Sequence, residues 1–275
     1  MALTDFQRSL CRLIAASRVE AGESYVAGGA ALNTVLGAPR LSRDIDLFHD
    51  TDEALAATWG SDRALLERSG YRLSVVRERP TFVEANVEKD GEAVLVQWVR
   101  DSAYRFFPLV THDLLGLTLH PFDLATNKVL ALVGRLEVRD WVDLIGCHER
   151  IQPLGFLAWG ACGKDPGFSP RSLLEHARRS SRYSAAEVAE LSFEGLPPDA
   201  GTLSRTWRTM LSEAERIVTL LPPERAGTCV VGEDGELFRG SPDDLEDPAS
   251  GSRLCFREGS IRGVFPTLRL GQPPS

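Results

Sequence analysis

The sequence predicts an α+β chain: a small mixed α/β sheet comes first, a helical second domain follows, and a small β appendage closes the C-terminal end. Three observations carry this reading. Up to about residue 108, helical spacing alternates with short apolar runs and one hairpin signal. From residue 121 to about residue 221 only helical spacing is found, and beyond it the composition turns to Pro, Gly and acid. These shifts suggest boundaries at 1–110, 111–221 and 222–275.

Residues 1–20 carry Leu3, Phe6, Leu10, Leu13 and Ile14 at helical spacing, interrupted by Arg8 and Arg12. That is an amphipathic helix, not the unbroken apolar core of a leader peptide. Residues 24–27 read as a short buried strand running into Gly28-Gly29, and residues 30–36 as a brief helix closed by Gly37. The strict alternation of residues 44–48 marks a half-buried strand. Residues 52–69 are helical, 71–78 and 82–87 are strands, and residues 89–92 turn into a returning strand at 94–99. Helices are expected at 122–136, 139–150, 170–182, 185–193 and 203–220. In the tail, residues 228–231 and 236–239 flank one hairpin signal, and residues 253–257 and 261–265 flank a second.

Composition narrows the possible functions. The 275 residues hold 31 Lys and Arg against 39 Asp and Glu, a formal net charge of −8. With 43% hydrophobic and 25% charged residues, the chain is neither disordered nor a bulk electrostatic coat for nucleic acid. Cys11, Cys147, Cys162, Cys229 and Cys255 form no C-x-x-C pair, so the expectation is reduced thiols without a disulfide framework or zinc site. No apolar stretch approaches the roughly 20 residues that span a bilayer, and a cytoplasmic protein without a membrane partner is expected. Only Lys89, Lys128 and Lys164 are lysines among the cations. The basic run at residues 178–182 reads as a solvated helix face.

The informative segment is Gly28-Gly29-Ala30-Ala31-Leu32 followed by residues 40–48, Arg-Leu-Ser-Arg-Asp-Ile-Asp-Leu-Phe. Asp44 and Asp46, at i and i+2 on a strand, point to one face about 7 Å apart and can converge on one hard cation. Mg²⁺ binds through one or two carboxylates plus substrate phosphates. The glycine pair lets the backbone approach those phosphates, and the helix after it offers free N–H groups. Together they describe a cradle for a metal-bound triphosphate. A second patch, residues 122–144, places Leu124, Lys128, Ala131 and Arg135 on one helix face, so Lys128 and Arg135 can reach one ligand together. Asp140 and Asp143 would pair with these cations or orient them.

At these residues the chain resembles the DNA polymerase β-like nucleotidyltransferase superfamily, and more closely its AbiEii/MenT-type branch, the toxins of toxin–antitoxin systems. The likeness covers about residues 20–150. It implies a polymerase β-like mixed sheet and an Mg²⁺-dependent transfer of NMP from an NTP to an acceptor hydroxyl. The acceptor it implies is the 3′ end of a tRNA, with an antitoxin protein as partner; small-molecule acceptors stay open. Asp44 and Asp46 would hold metal, and Gly28, Gly29, Ser42 and Arg43 would hold the phosphates. Lys128, Arg135 and Asp143 would complete the nucleotide site from the helical region. Two positions depart from the pattern. Gln97 stands where the third carboxylate of the superfamily is expected, leaving Asp101 or Asp143 as candidate replacements for the base. Ala27 stands where many toxins of the branch carry a lysine. The alternative is therefore a catalytically impaired fold that binds nucleotide or a protein partner.

Overall fold

A computed structural model describes residues 3–22, 24–180, 183–247 and 254–261. The first helix, α1 (Asp5–Ala21), starts where Thr4 accepts from the Gln7 amide and the Gln7 side chain reciprocates. It stops at Gly22, whose φ of 69° is the left-handed cap. Next come β1 (Tyr25–Ala27), α2 (Gly28–Leu36), β2 (Asp44–His49) and α3 (Asp52–Arg68). The expected hairpin joins β4 (Phe82–Lys89) to β5 (Glu92–Arg100), with β3 (Arg72–Arg79) outside them. Three strands that the sequence pattern hides follow: β6 (Tyr104–Arg105), β7 (Val110–His112) and β8 (Gly116–Thr118). Each is too short to display an alternation.

The main sheet is mixed and seven-stranded, in the order β3-β4-β5-β2-β1-β8-β7. β2 runs parallel to β5 and β1 parallel to β8; the other pairs are antiparallel. One face is apolar. Ile45, Leu47, Val83, Ala85, Val87, Val94, Val96 and Trp98 are buried there, beneath α1 and α3. Each large apolar side chain so covered contributes about 1.5–3 kcal/mol. The alternate residues, among them Asp44, Asp46, Phe48, Phe82, Gln97 and Val99, stay partly exposed and floor a cleft. The pleat therefore divides one strand between core and site.

The helical region supplies the cleft's other walls. It contains α4 (Pro121–Arg135), α5 (Val138–Arg150), α6 (Leu154–Lys164), α7 (Pro170–Ala177), α8 (Ala185–Ala189) and α9 (Ala200–Leu220). α4 packs on α2, α5 and α6, and α6 packs along α9. Helix α6 was not expected from the sequence. It is buried on nearly every side, so it has no polar stripe to mark a period, and its three glycines read as breakers. Those glycines serve close packing instead: a Cβ on Gly155 would fall 2.6 Å from the Ile217 Cβ on α9. α7 ends at Ala177 and gives way to a 3₁₀ turn, Arg178–Ser180. The end of the basic run, at residues 181–182, lies outside the described residues. Among the described residues no helix is long and apolar enough to cross a membrane.

The tail departs from the two expected hairpins. β9 (Cys229–Val231) meets residue 237 in only one bridge, Val231 to Leu237. The Gln152 side-chain amide reaches into that turn and donates to the carbonyls of Val230 (2.9 Å) and Phe238 (2.6 Å). A short helix, α10 (Pro242–Glu246), follows, and β9 pairs with β10 (Cys255–Arg257). The chain then crosses at Glu258-Gly259 to a different sheet, where β11 (Ser260–Ile261) pairs with β6. Residues 262–265 of the second expected hairpin lie outside the described residues.

Candidate active site

The cleft of about 760 Å³ lies where β1, β2 and β5 meet α4 and the start of α5. Its floor begins at the β1–α2 junction. Gly28 sits at φ 63°, and a Cβ there would fall 1.8 Å from Asp46 Oδ2. A Cβ on Gly29 would fall 2.8 Å from the Arg40 guanidinium. Both glycines are thus required by what packs over them, and Gly28 by its backbone as well. No side chain caps the N-terminus of α2, so its first amides remain open to an anion.

Asp44 and Asp46 share the open face of β2, as their spacing predicts. Ser42 Oγ donates to Asp44 Oδ1 at 3.1 Å, and Arg139 Nη1 lies 3.7 Å from Asp44 Oδ2. Burial, followed by the neighbouring charge of Asp44, raises the Asp46 pKa to about 7. Lys128, Arg139 and Arg135 oppose that rise but do not cancel it. Two carboxylates side by side on one open strand face form a donor set suited to a hard cation. Among the described residues no cluster of three or more His, Cys, Asp or Glu side chains could hold a metal. The pair therefore fits an ion that brings oxygen ligands of its own, as Mg²⁺ does with water and phosphate.

The wall on the α4–α5 side is a chain of five charges. Arg135 donates to Asp140 at 2.6 and 2.9 Å, and Lys128 Nζ donates to Asp140 at 2.9 Å. Lys128 also lies 3.1 Å from Asp143, which accepts twice from Arg40, at 2.6 and 2.8 Å. Burial works against charge on Lys128, yet Asp143 and Asp140 outweigh it and raise its pKa, so Lys128 is a fixed ammonium. Burial would raise the Asp140 pKa, but the hydrogen bonds and charges of Arg135 and Lys128 hold it below the ordinary value. Lys128 and Arg135 line the cleft; Asp143 does not, and its side chain has no solvent exposure. The resemblance implies Asp143 at the nucleotide site; the structure places it behind the cleft surface, in contact with Arg40 and Lys128.

A further wall comes from far along the chain. Arg43 donates to the Glu190 carbonyl at 2.6 Å, so it braces this wall as well as lining the cleft. Leu41 N–H donates to Ser192 O and Glu194 N–H to Pro39 O, lacing residues 39–43 to 190–194. Tyr183, Glu187 and Ser192 consequently reach the cleft, and neither they nor Arg139 were candidates from sequence. For Arg139 a signal existed, since it opens the Arg-Asp-x-x-Asp-Leu run; for the other three none did.

Gln97 sits beside Asp46 in the β2–β5 register, where a carboxylate was expected. Its Nε2 donates to Glu84 Oε1 at 2.8 Å on the next strand, β4. That bond turns the amide oxygen away from Glu84. Asp101 does not replace it: it lies past the end of β5, hydrogen-bonded through its backbone to His49, and is not part of the cleft.

A glycine turn, a carboxylate pair on the following strand and a cationic helix face, carried on this mixed sheet, define a nucleotidyltransferase-like fold and site. Residues 12–153 match the model of the AbiEii nucleotidyl transferase toxin family of type IV toxin–antitoxin systems, and the chain belongs to that family. No curated protein matches it in sequence. Among solved structures it is similar to MenT4, a nucleotidyltransferase toxin from Mycobacterium tuberculosis H37Rv. The TM-score there is 0.51 at 18% identity, over 80% of this chain and 83% of that one. It is also similar to JHP933 from Helicobacter pylori, with a TM-score of 0.50 at 15% identity, over 79% of this chain and 95% of that one. At these identities the two structures support the fold alone.

Proposed function

We propose that the protein transfers an NMP from an NTP to an acceptor hydroxyl in an Mg²⁺-dependent reaction. The observation that carries this reading is the carboxylate pair Asp44/Asp46 packed against Gly28, opposite a wall of fixed cations. The triphosphate lies along Gly28, Gly29 and the open amides of α2, with Ser42 beside it. Lys128, Arg135 and Arg139 face its negative charge from the helical side. Asp44 and Asp46 hold Mg²⁺, which when bound supplies charge neutralisation to the transferring phosphoryl group and to pyrophosphate. The acceptor oxygen bonds to the α-phosphorus, the bond from that phosphorus to pyrophosphate breaks, and the hydroxyl proton is released to solvent.

Membership of the AbiEii family supports a toxin held in check by an antitoxin; on the reading proposed here it acts in the cytoplasm, with the 3′ end of a tRNA as acceptor. Incubation with each labelled NTP, Mg²⁺ and total tRNA tests it: label should pass to tRNA, and Asp44→Ala should abolish transfer by at least about 10³-fold. A second reading, a nucleotide-binding protein without catalysis, rests on Gln97. It is favoured if NTP binds with ordinary affinity but no label reaches tRNA, protein or small-molecule acceptors.

A further inference from the structure

Past Asp46 the cleft continues onto the open face of the sheet, away from the glycine turn. Phe48, Val99 and Phe82 are register neighbours across β2, β5 and β4, and all three line the cleft. Arg79 is the next partner in that row, on β3, and the Arg77 guanidinium lies over the Phe82 ring at 5.8 Å from its centroid. Both arginines are exposed, and among the described residues neither is ion-paired.

We infer that this end of the cleft is where the acceptor RNA end sits, with its last base stacked on Phe82. The inference rests on the nucleotidyl-transfer reading and adds to it the residues that seat the second substrate. Two strand spacings, about 10 Å, separate Phe82 from the β2 row that carries Asp46 and Phe48, the scale of a single nucleotide. An aromatic face accepts any base, and a free guanidinium beside it accepts the neighbouring phosphate. Of the acids on this face Glu88 is ion-paired with Arg72, and Glu84, the register partner of Arg77, accepts from the Gln97 amide. Arg77 and Arg79 put two exposed guanidinium groups along this row, within reach of a strand phosphate.

The test uses the full chain and a short 5′-labelled single-stranded RNA with a free 3′ hydroxyl. RNA affinity is read by anisotropy without NTP, NTP affinity by calorimetry without RNA, and the KM for each substrate by transfer assay. Phe82→Ala should weaken RNA binding and raise its KM between about fivefold and a hundredfold, the range one base–aromatic stack supplies. NTP affinity should not change. Phe82→Leu, which keeps apolar volume without a ring, should behave like Phe82→Ala, and Phe82→Trp should restore binding; this separates stacking from folding. Arg77→Ala with Arg79→Ala should flatten the salt dependence of RNA binding by roughly 0.7 in log–log slope for each phosphate left without its guanidinium. Equal RNA affinity in wild type, Phe82→Ala and Phe82→Leu would overturn the inference. So would transfer to a protein or small-molecule hydroxyl but never to RNA, an outcome that leaves the nucleotidyltransferase reading standing. Absence of transfer to every acceptor would instead remove that reading, and the acceptor seat with it.

Discussion

Asp140 and Asp143 stand in one wall of the cleft, and Asp44 and Asp46 on its floor, yet the two pairs live under opposite electrostatics. In the wall each carboxylate touches two cations, and Arg135, Asp140, Lys128, Asp143 and Arg40 alternate in sign. On the floor the two acids are neighbours, with one guanidinium 3.7 Å from Asp44, and Asp46 keeps a proton to about pH 7. The wall meets the charge of its own acids and keeps one cation in excess. The floor leaves its charge to be satisfied by something that arrives, which is how a structural acid and a binding acid are told apart when residue type and burial look alike.

The contrast can be broken most severely at the wall. Asp140→Ala leaves Lys128 buried against one acid instead of two and strips Arg135 of its hydrogen bonds, which should cost about 3–5 kcal/mol. Chemical denaturation would measure it, and a destabilisation below about 1 kcal/mol would mean the five-charge chain is not structural. Lys128→Met is milder for stability, because Asp140 keeps Arg135 and Asp143 keeps Arg40. It should lower kcat/KM by about 10²-fold and lower the thermal midpoint by less than Asp140→Ala does. A large fall in midpoint with unaltered kinetics would place Lys128 with the structure alone.

The floor should respond in the other direction. Asp46 has a folded pKa above its unfolded value, so the folded state holds more protons between about pH 4 and 7. Its contribution to stability therefore falls as pH rises through that window. In metal-free protein, Asp46→Asn should raise the midpoint by a few degrees at pH 8 and by almost nothing at pH 4, as a thermal scan at both pH values would record. The smallest effect is expected at Gln97. Gln97→Glu sets a carboxylate against Glu84 and should cost about 1 kcal/mol, and adding Glu84→Gln should recover it. A double-mutant cycle without coupling would show that this hydrogen bond does not hold the amide in place.

Some of this was legible in the chain. The i, i+2 spacing of Asp44 and Asp46 is enough to place both on one face, because a strand has a period of two whatever surrounds it. The i, i+3/i+4 spacing likewise brings Leu124, Lys128, Ala131 and Arg135 onto one side of α4. What escaped was of two kinds. Helix α6 and strands β6 to β8 carry no period, the helix because it is apolar all round and the strands because they are short. The pairing of Gln97 with Glu84, the bracing of Arg43 by Glu190 and the binding of Asp143 by Arg40 depend on tertiary register, which local spacing does not encode. The tail escaped for a related reason: β9 takes β10 as its strand partner, and a side chain from another segment, Gln152, shares the Val230 carbonyl with the Phe238 N–H in the short turn.

The lacing of residues 39–43 to residues 190–194 also sets an order in time. Arg43 and Glu190 are 147 positions apart, so the ribosome has made the glycine turn and the carboxylate strand long before it makes the wall that completes the cleft. A chain halted before residue 190 carries every carboxylate of the floor and no closed cleft around them.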